Sequence, residues 1–239
     1  MDTDRYVAAL QSEGTALAAA ARRGLDVPVP SCPDWDVAAL VAHTALGYRW
    51  VTRIVTTRAT TEVSRDDLPP ARATDPVEAY EESLAGLVAA LTDAGPESPC
   101  WNWSRQDFRA AFWCRRMAQE TVVHRWDAEN AHGVARATDP ALAADGVDES
   151  LTVFLPEYLF DEPQDGLAGT FLVAATDTGD RWAGTLSPNA SEVRRIPADT
   201  DADAVLRGTA SDVHLTLWGR SVPGVTTQGD VRIVTLLTD

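Results

Sequence analysis

Three polar side chains lie on a stripe of the sequence where a helix would normally present apolar residues to the core. In the segment WCRRMAQETVVHRWDAE, this stripe begins with Trp113 and Met117. It continues, at alternating steps of three and four residues, with Glu120, His124 and Asp127. All five side chains would therefore share one helix face. Burying an unpaired carboxylate costs roughly several kcal/mol, so the stripe predicts a polar or metal-binding site inside the fold.

The residue types and their spacing suit a metal site. Glu120 and His124 are four residues apart, so the ends of their side chains can converge on one point. Helical bundles build metal sites from facing helices, and a catalytic zinc-like ion needs a third protein ligand. His43, in the middle of another apolar helix pattern, is the candidate for that ligand. Asp127 would then orient one of the imidazoles from outside the site.

A purely structural interpretation of these residues stays open at this point. Arg116 precedes Glu120 by four residues and could form an ordinary ion pair along the helix. His43 could be a hydrogen-bonded core histidine. Arg125 and Glu129 fall outside the stripe, and we expect both to be solvated. The spacing alone does not separate a metal site from a polar core network.

The elements that must position this site are four amphipathic helices in residues 1–137. The 3.6-residue period predicts one helix at about 3–23, a second that begins at Asp34 or Asp36, a third from Pro76 and a fourth at about 108–132. Asp75, Pro76 and Glu78 form a helix start signal for the third helix. Four helices of this length favour a four-helix bundle.

Residues 138–239 follow a different pattern, which predicts a small α+β domain. Residues 138–160 indicate one more helix, and GTFLVAATDT and RWAGTLS alternate with period two like the strands of a hairpin. Later segments predict a short strand, a turn at Gly208, a helix capped by Ser211, and finally a strand with a short closing element. The expected fold class is therefore α+β, with a helical bundle followed by this smaller domain.

The composition limits the classes of partner. The chain has 36 acidic residues and 20 basic ones, none of them lysine, and the formal net charge of −16 argues against a nucleic-acid groove. No segment approaches the ~20 apolar residues of a membrane span, and the N-terminus lacks a leader pattern, which favours the cytoplasm.

Cys32, Cys100 and Cys114 show no CxxC spacing and are expected to be free thiols. The oligomeric state is not fixed by any of these features.

Longer stretches around the candidate ligands carry a family resemblance. The segments CPDWDVAALVAHTALGYRWV and WNWSRQDFRAAFWCRRMAQETVVHRWDAENAHG resemble the mycothiol-dependent maleylpyruvate isomerase family of actinobacteria, which belongs to the DinB-like metalloenzymes. LRGTASDVHLTLWGR is similar to that family's C-terminal domain, which resembles sterol-carrier proteins. The resemblance implies a divalent metal, usually zinc, held by His43, Glu120 and His124. It also implies mycothiol, a low-molecular-weight thiol, as cosubstrate.

A mechanism follows from the resemblance. A thiol is mostly protonated at pH 7, and a divalent metal lowers its pKa. The resulting metal-bound thiolate would add to a small electrophilic substrate. For maleylpyruvate, addition to the double bond, rotation and elimination would give cis-to-trans isomerisation. Proteins on one scaffold can share the metal chemistry without sharing the substrate, so we expect either an isomerase or a thiol transferase.

Arginine side chains are the candidates for binding anionic groups, because a guanidinium can hold a carboxylate with two hydrogen bonds. We assign Arg220, together with Asp127, to the catalytic machinery, and Arg116 and Arg207 to cofactor binding. An ordinary surface position in a very acidic protein is an equally good interpretation of each arginine.

Two other functions remain compatible with the sequence. One is metal-dependent hydrolysis on the same scaffold, which would need no added thiol. The other is a non-catalytic protein that binds a metal and a small apolar ligand. Structural zinc sites are usually closed by four protein ligands, so an open position would argue against the second alternative.

Overall fold

The computed structural model describes residues 1–69 and 71–238 and divides the chain into two compact units, Met1–Arg136 and Ala137–Asp239. Each unit has its own cluster of buried apolar side chains. The first unit is helical and the second combines helices with a sheet, which confirms the predicted α+β class. Within the two described ranges, no helix is both long enough and apolar enough to cross a membrane.

The first unit is a four-helix bundle, as the sequence predicts. Its helices are α1 (Thr3–Ala21), α2 (Val37–Thr57), α3 (Pro76–Ala94) and α4 (Ala110–Ala131). The most extensive helix contacts join α1 to α4 and α2 to α3, and further contacts join α1 to α3 and α2 to α4. A single 3₁₀ turn, Arg65–Asp67, interrupts the long connection between α2 and α3.

Aspartate side chains fix the starts of α2 and α3. Asp36 accepts a hydrogen bond from the backbone N–H of Ala39 at 2.8 Å, and thereby caps α2. Asp75 accepts from the N–H groups of Val77 and Glu78, with Pro76 as the first residue of α3. The predicted start signal of the third helix is therefore confirmed.

Hydroxyl groups tie α4 to the other helices beside the polar stripe. The Tyr48 hydroxyl of α2 lies 2.6 Å from Thr121 Oγ1 of α4 and 3.3 Å from the Tyr80 hydroxyl of α3. Tyr80 in turn donates to the carbonyl of Gly14 in α1 at 3.1 Å. All three polar side chains are buried, so these bonds fix the position of α4 within the bundle.

The expectation that Arg125 and Glu129 are solvated is wrong. The side chain of Arg125 is only 1% exposed and donates to Glu13 of α1 at 2.7 Å and to Glu129 at 2.9 Å. Glu129 also accepts from the Arg136 side chain at 2.9 Å. Because α1 covers this face of α4, both faces of α4 are buried, and the charges are neutralised by one another.

The second unit begins with a long, continuous helical segment. The helix predicted at 138–160 is α5 (Pro140–Glu149), a π-helical turn (Ser150–Phe154) and α6 (Leu155–Asp161), which follow one another without a break. The remaining helices are α7 (Ala210–Thr216) and α8 (Val231–Thr238). The helix cap predicted at Ser211 is wrong: Thr209 caps α7, and the Ser211 hydroxyl accepts from the N–H of Thr138.

A five-stranded sheet completes the second unit. The strands are β1 (Gly169–Ala175), β2 (Arg181–Ser187), β3 (Ala190–Arg195), β4 (Ala204–Gly208) and β5 (Thr226–Gly229). They lie in the order β3-β2-β1-β4-β5. β1 and β2 form the predicted antiparallel hairpin, and β1 pairs with β4 in parallel. The sequence analysis did not predict β3, an edge strand whose side chains are mostly exposed.

Candidate metal centre

Three side chains that could hold a metal ion lie together in the first unit. They are His43 of α2 and Glu120 and His124 of α4, and one potential ligand atom from each lies within 4.8 Å of the others. Glu120 Oε1 is 3.2 Å from His124 Nε2 and 3.6 Å from His43 Nε2. Ligand atoms on one tetrahedral zinc ion, with bonds of about 2.0–2.1 Å, would be about 3.3 Å apart. Both the donor types and their spacing therefore fit a divalent metal.

The second oxygen of Glu120 has a different partner. Arg116, one turn earlier on α4, donates from Nη2 to Glu120 Oε2 at 3.2 Å, and its side chain is buried. Burial alone would raise the pKa of Glu120, but the hydrogen bonds and charge of His124, with His43 and Arg116, hold it well below its usual value. The ion pair with Arg116 therefore coexists with the histidine cluster, and the carboxylate stays ionised.

Asp127 lies behind His124, on the side away from Glu120. Its side chain is completely buried, and its Oδ2 lies 3.0 Å from His124 Nδ1. Burial alone would lower the pKa of His124, but Asp127 and Glu120 together raise it to about 9. Since Nδ1 faces Asp127, the other ring nitrogen, Nε2, is directed toward the cluster.

Two further residues lie at the site, although neither was among the predicted site residues. The Ser31 hydroxyl donates to Asp127 Oδ1 at 2.5 Å. The Trp35 ring lies 4.7 Å from the His43 ring and 6.3 Å from the His124 ring, measured between centroids. Both residues belong to the connection between α1 and α2, where no helical spacing relates them to α4. The feature of the sequence that marks this segment as an ordered connection is the unusual density of prolines in VPVPSCPDW.

The cluster is accessible from solvent on one side. The His43 side chain is 38% exposed and that of Glu120 is 27% exposed, whereas His124 is 9% exposed. Structural zinc sites are usually closed by their protein ligands, and catalytic sites keep an open position. A small molecule can therefore reach the cluster from the side of His43 and Glu120.

Two predicted anion-binding arginines lie in the second unit. Arg207 of β4 donates to Asp199 Oδ2 at 2.8 Å, and Arg181 donates to the other oxygen of Asp199. Arg220, which follows α7, donates to the carbonyl of Trp218 at 2.6 Å. Arg116 is the predicted anion-binding arginine that contacts the cluster directly, and the roles of Arg207 and Arg220 stay predictions.

Comparison with known proteins gives a consistent family and fold. The family model described as Mycothiol maleylpyruvate isomerase N-terminal domain matches residues 7–129, just over half of the chain. A crystal structure of the mycothiol-dependent maleylpyruvate isomerase covers 95% of this chain and 93% of its own, with a TM-score of 0.57 at 13% identity. A histidine-to-alanine mutant of that enzyme has the same coverage, a TM-score of 0.58 and 14% identity. These likenesses establish a shared fold over both units. No curated protein sequence matches the chain.

Proposed function

Because the chain belongs to the mycothiol maleylpyruvate isomerase N-terminal domain family, we propose that it is a metal-dependent enzyme that uses mycothiol as its thiol cosubstrate. The observation that carries this proposal is the solvent-accessible cluster of His43, Glu120 and His124. Two imidazoles and one carboxylate form a known ligand set of catalytic zinc sites, so zinc is the metal we propose. Nickel, iron and manganese accept the same ligand types and are the competing ions.

The proposed chemistry assigns a task to each residue at the cluster. A divalent metal, when bound, would lower the pKa of a thiol and so supply a thiolate at neutral pH. Asp127 holds His124 through Nδ1 and leaves Nε2 directed toward the ligand cluster. Arg116 holds one oxygen of Glu120 and leaves the other facing the two imidazoles.

The reaction we propose is addition of the thiol to a small electrophile. With maleylpyruvate, addition would turn the cis double bond into a single bond that can rotate. Loss of the thiol would then restore the double bond in the trans form and regenerate the cosubstrate. Transfer of the thiol to another electrophile would need the same residues. Arg116, Arg207 and Arg220 are the proposed binding residues for anionic groups of the substrate or thiol.

A thiol-dependence assay tests this function. Zinc-loaded protein should convert maleylpyruvate to its trans isomer, or couple mycothiol to a related electrophile, only when mycothiol is present. Glu120→Gln should lose this activity, whereas Glu82→Gln, at an exposed position of α3, should keep it. Turnover of an ester or amide without any thiol would favour the metal-dependent hydrolase instead.

The proposed location is the cytoplasm. Cys32, Cys100 and Cys114 form no disulfide with one another, as the sequence analysis expects. Cysteines outside disulfides are usual in a reducing compartment, where low-molecular-weight thiols are also kept reduced. Reduced mycothiol would be available to the enzyme there.

A second candidate function is binding of a small apolar molecule by the second unit. A cavity of about 730 Å³ is lined by side chains that include Leu151, Phe154, Leu217 and Leu236. This volume lies within the range of pockets that hold drug-sized ligands. Saturable binding of the neutral fluorescent probe N-phenyl-1-naphthylamine, lost in Thr235→Trp, would support this function. Absence of saturable binding would exclude it.

A further inference from the structure

The connection between α1 and α2 is held in one shape by its own backbone. The N–H of Val29 donates to the carbonyl of Trp35 at 2.9 Å, and the N–H of Trp35 donates to the carbonyl of Cys32 at 2.8 Å. The N–H of Cys32 donates back to Val29 at 3.0 Å, and the Val29 side chain is buried. Prolines fix the backbone φ angle at positions 28, 30 and 33. These bonds present Ser31 at a defined position beside α4.

Ser31 contacts the residue that lies behind a candidate metal ligand. Its hydroxyl donates to Asp127 Oδ1, while Asp127 Oδ2 faces His124 Nδ1. A carboxylate held at both oxygens cannot easily rotate away from the imidazole. A proton on Nδ1 that is shared with Asp127 leaves the lone pair of Nε2 free to bind a metal ion.

We propose that Ser31 is a positioning residue of the metal centre, which acts through Asp127 to hold His124 in the orientation that metal binding requires. This inference rests on the proposed function, because it assumes that the cluster binds a metal. The simpler alternative is that the Ser31–Asp127 hydrogen bond only fastens the connection between α1 and α2 to the bundle. In that case the bond would contribute to folding and would not be coupled to metal affinity.

A double-mutant cycle on zinc affinity separates these roles. Zinc dissociation constants are measured by competition with a chromophoric chelator for the full chain and for Ser31→Ala, Asp127→Asn and the double variant. Removing an outer partner of a metal-bound histidine typically weakens affinity about 10- to 100-fold, so we expect Ser31→Ala to lose about tenfold. Because Ser31 acts through Asp127, the double variant should bind zinc no more weakly than Asp127→Asn alone. Ser31→Thr, which keeps the hydroxyl, should restore the affinity.

Ser83→Ala is the matched control. Ser83 is another serine of the first unit, and its hydroxyl donates to the carbonyl of Ala79 within α3. Its removal should leave zinc affinity unchanged. Circular dichroism checks that each variant folds, and Ser31→Cys, of similar size and weaker as a donor, replaces the alanine variant if that variant does not fold.

Two outcomes would overturn the inference. If Ser31→Ala binds zinc as tightly as the unmodified chain, the Ser31 hydroxyl only holds the connection between α1 and α2 against the bundle. Fully additive losses in the double variant would show that Ser31 does not act through Asp127. Failure of the unmodified chain to bind zinc would instead overturn the proposed function, and this inference with it.

Discussion

His124 lies between two carboxylates, with Glu120 on its Nε2 side and Asp127 on its Nδ1 side. Burial opposes the charged imidazolium, but the two carboxylates outweigh burial and raise the pKa of His124 to about 9. At neutral pH the imidazole of the metal-free protein therefore carries two protons. A metal ion that binds at Nε2 must displace one of them, so metal binding competes with protonation.

Zinc affinity should consequently depend on pH. With one proton displaced per ion, we expect affinity to rise about tenfold per pH unit between pH 7 and the pKa of His124 near 9, and to level off above it. Chelator-competition titrations at several pH values measure this dependence. Asp127→Asn removes one of the carboxylates that raise the pKa of His124, so its affinity should level off at lower pH. A zinc affinity independent of pH from 7 to 9 would contradict the raised pKa of His124.

Among the individual residues of the candidate site, those on α4 were predictable and Ser31 was not. Glu120, His124 and Asp127 share one helix, so the 3.6-residue period alone places them on one face. Ser31 reaches Asp127 across 96 positions of sequence, from a segment without any period. A contact of that kind depends on how the loop folds back against α4, which periodicity does not encode.

At the scale of the helices, the buried ion network on the far face of α4 should be sensitive to the loss of any one partner. Arg125→Met would leave Glu13 and Glu129 without their buried guanidinium. Removing one partner from a buried charge network typically costs about 3–5 kcal/mol, so we expect a loss of that size in the free energy of unfolding. Chemical denaturation measures it.

Arg22→Met is the control for this prediction. Arg22 of the segment that follows α1 makes two hydrogen bonds to Glu81, both at 2.7 Å, but the pair is exposed to solvent. Exposed ion pairs contribute little, because water screens them. Arg22→Met should therefore leave the unfolding midpoint nearly unchanged. Equal effects of the two substitutions would contradict the structural role assigned to Arg125.

A close contact across the sheet gives a second prediction at this scale. Gly184 of β2 lies opposite Phe171 of β1, and a Cβ atom on Gly184 would overlap the buried Phe171 ring. Gly184→Ala should therefore destabilise the protein by about 1–3 kcal/mol, as overpacked core positions do. Gly86→Ala is the control: its Cβ would meet open space in the middle of α3, so it should stabilise by up to about 1 kcal/mol. A Gly184→Ala variant more stable than the unmodified protein would contradict the close contact between Gly184 and the Phe171 ring.

The elements themselves were predictable where local signals were strong. Aspartate caps and apolar stripes located α2 and α3, and alternation located the β1–β2 hairpin. Two features of the fold were not predicted, and each has a physical reason. The edge strand β3 buries little, so its sequence shows no clear alternation. The face of α4 that carries Arg125 has the composition of a solvated surface, because its charges are paired with residues of α1 and the chain beyond α4.

At the scale of the whole molecule, every residue that the account needs for metal binding belongs to the first unit, Met1–Arg136. A fragment of residues 1–136 should therefore bind zinc with an affinity close to that of the full chain. Chelator competition on both proteins measures this directly. A fragment that folds, as judged by circular dichroism, but binds no zinc would show that the second unit contributes to the metal site.

The most direct test of the central claim is the metal content of the purified protein, measured by elemental mass spectrometry after incubation with zinc and removal of excess ion. We expect about one zinc ion per chain in the unmodified protein. We expect almost none in His124→Ala, and a full complement in His132→Ala, since His132 caps the end of α4 and lies outside the cluster. No bound zinc in the unmodified chain, or equal zinc in both variants, would contradict the account and reduce His43, Glu120 and His124 to a polar network within the bundle.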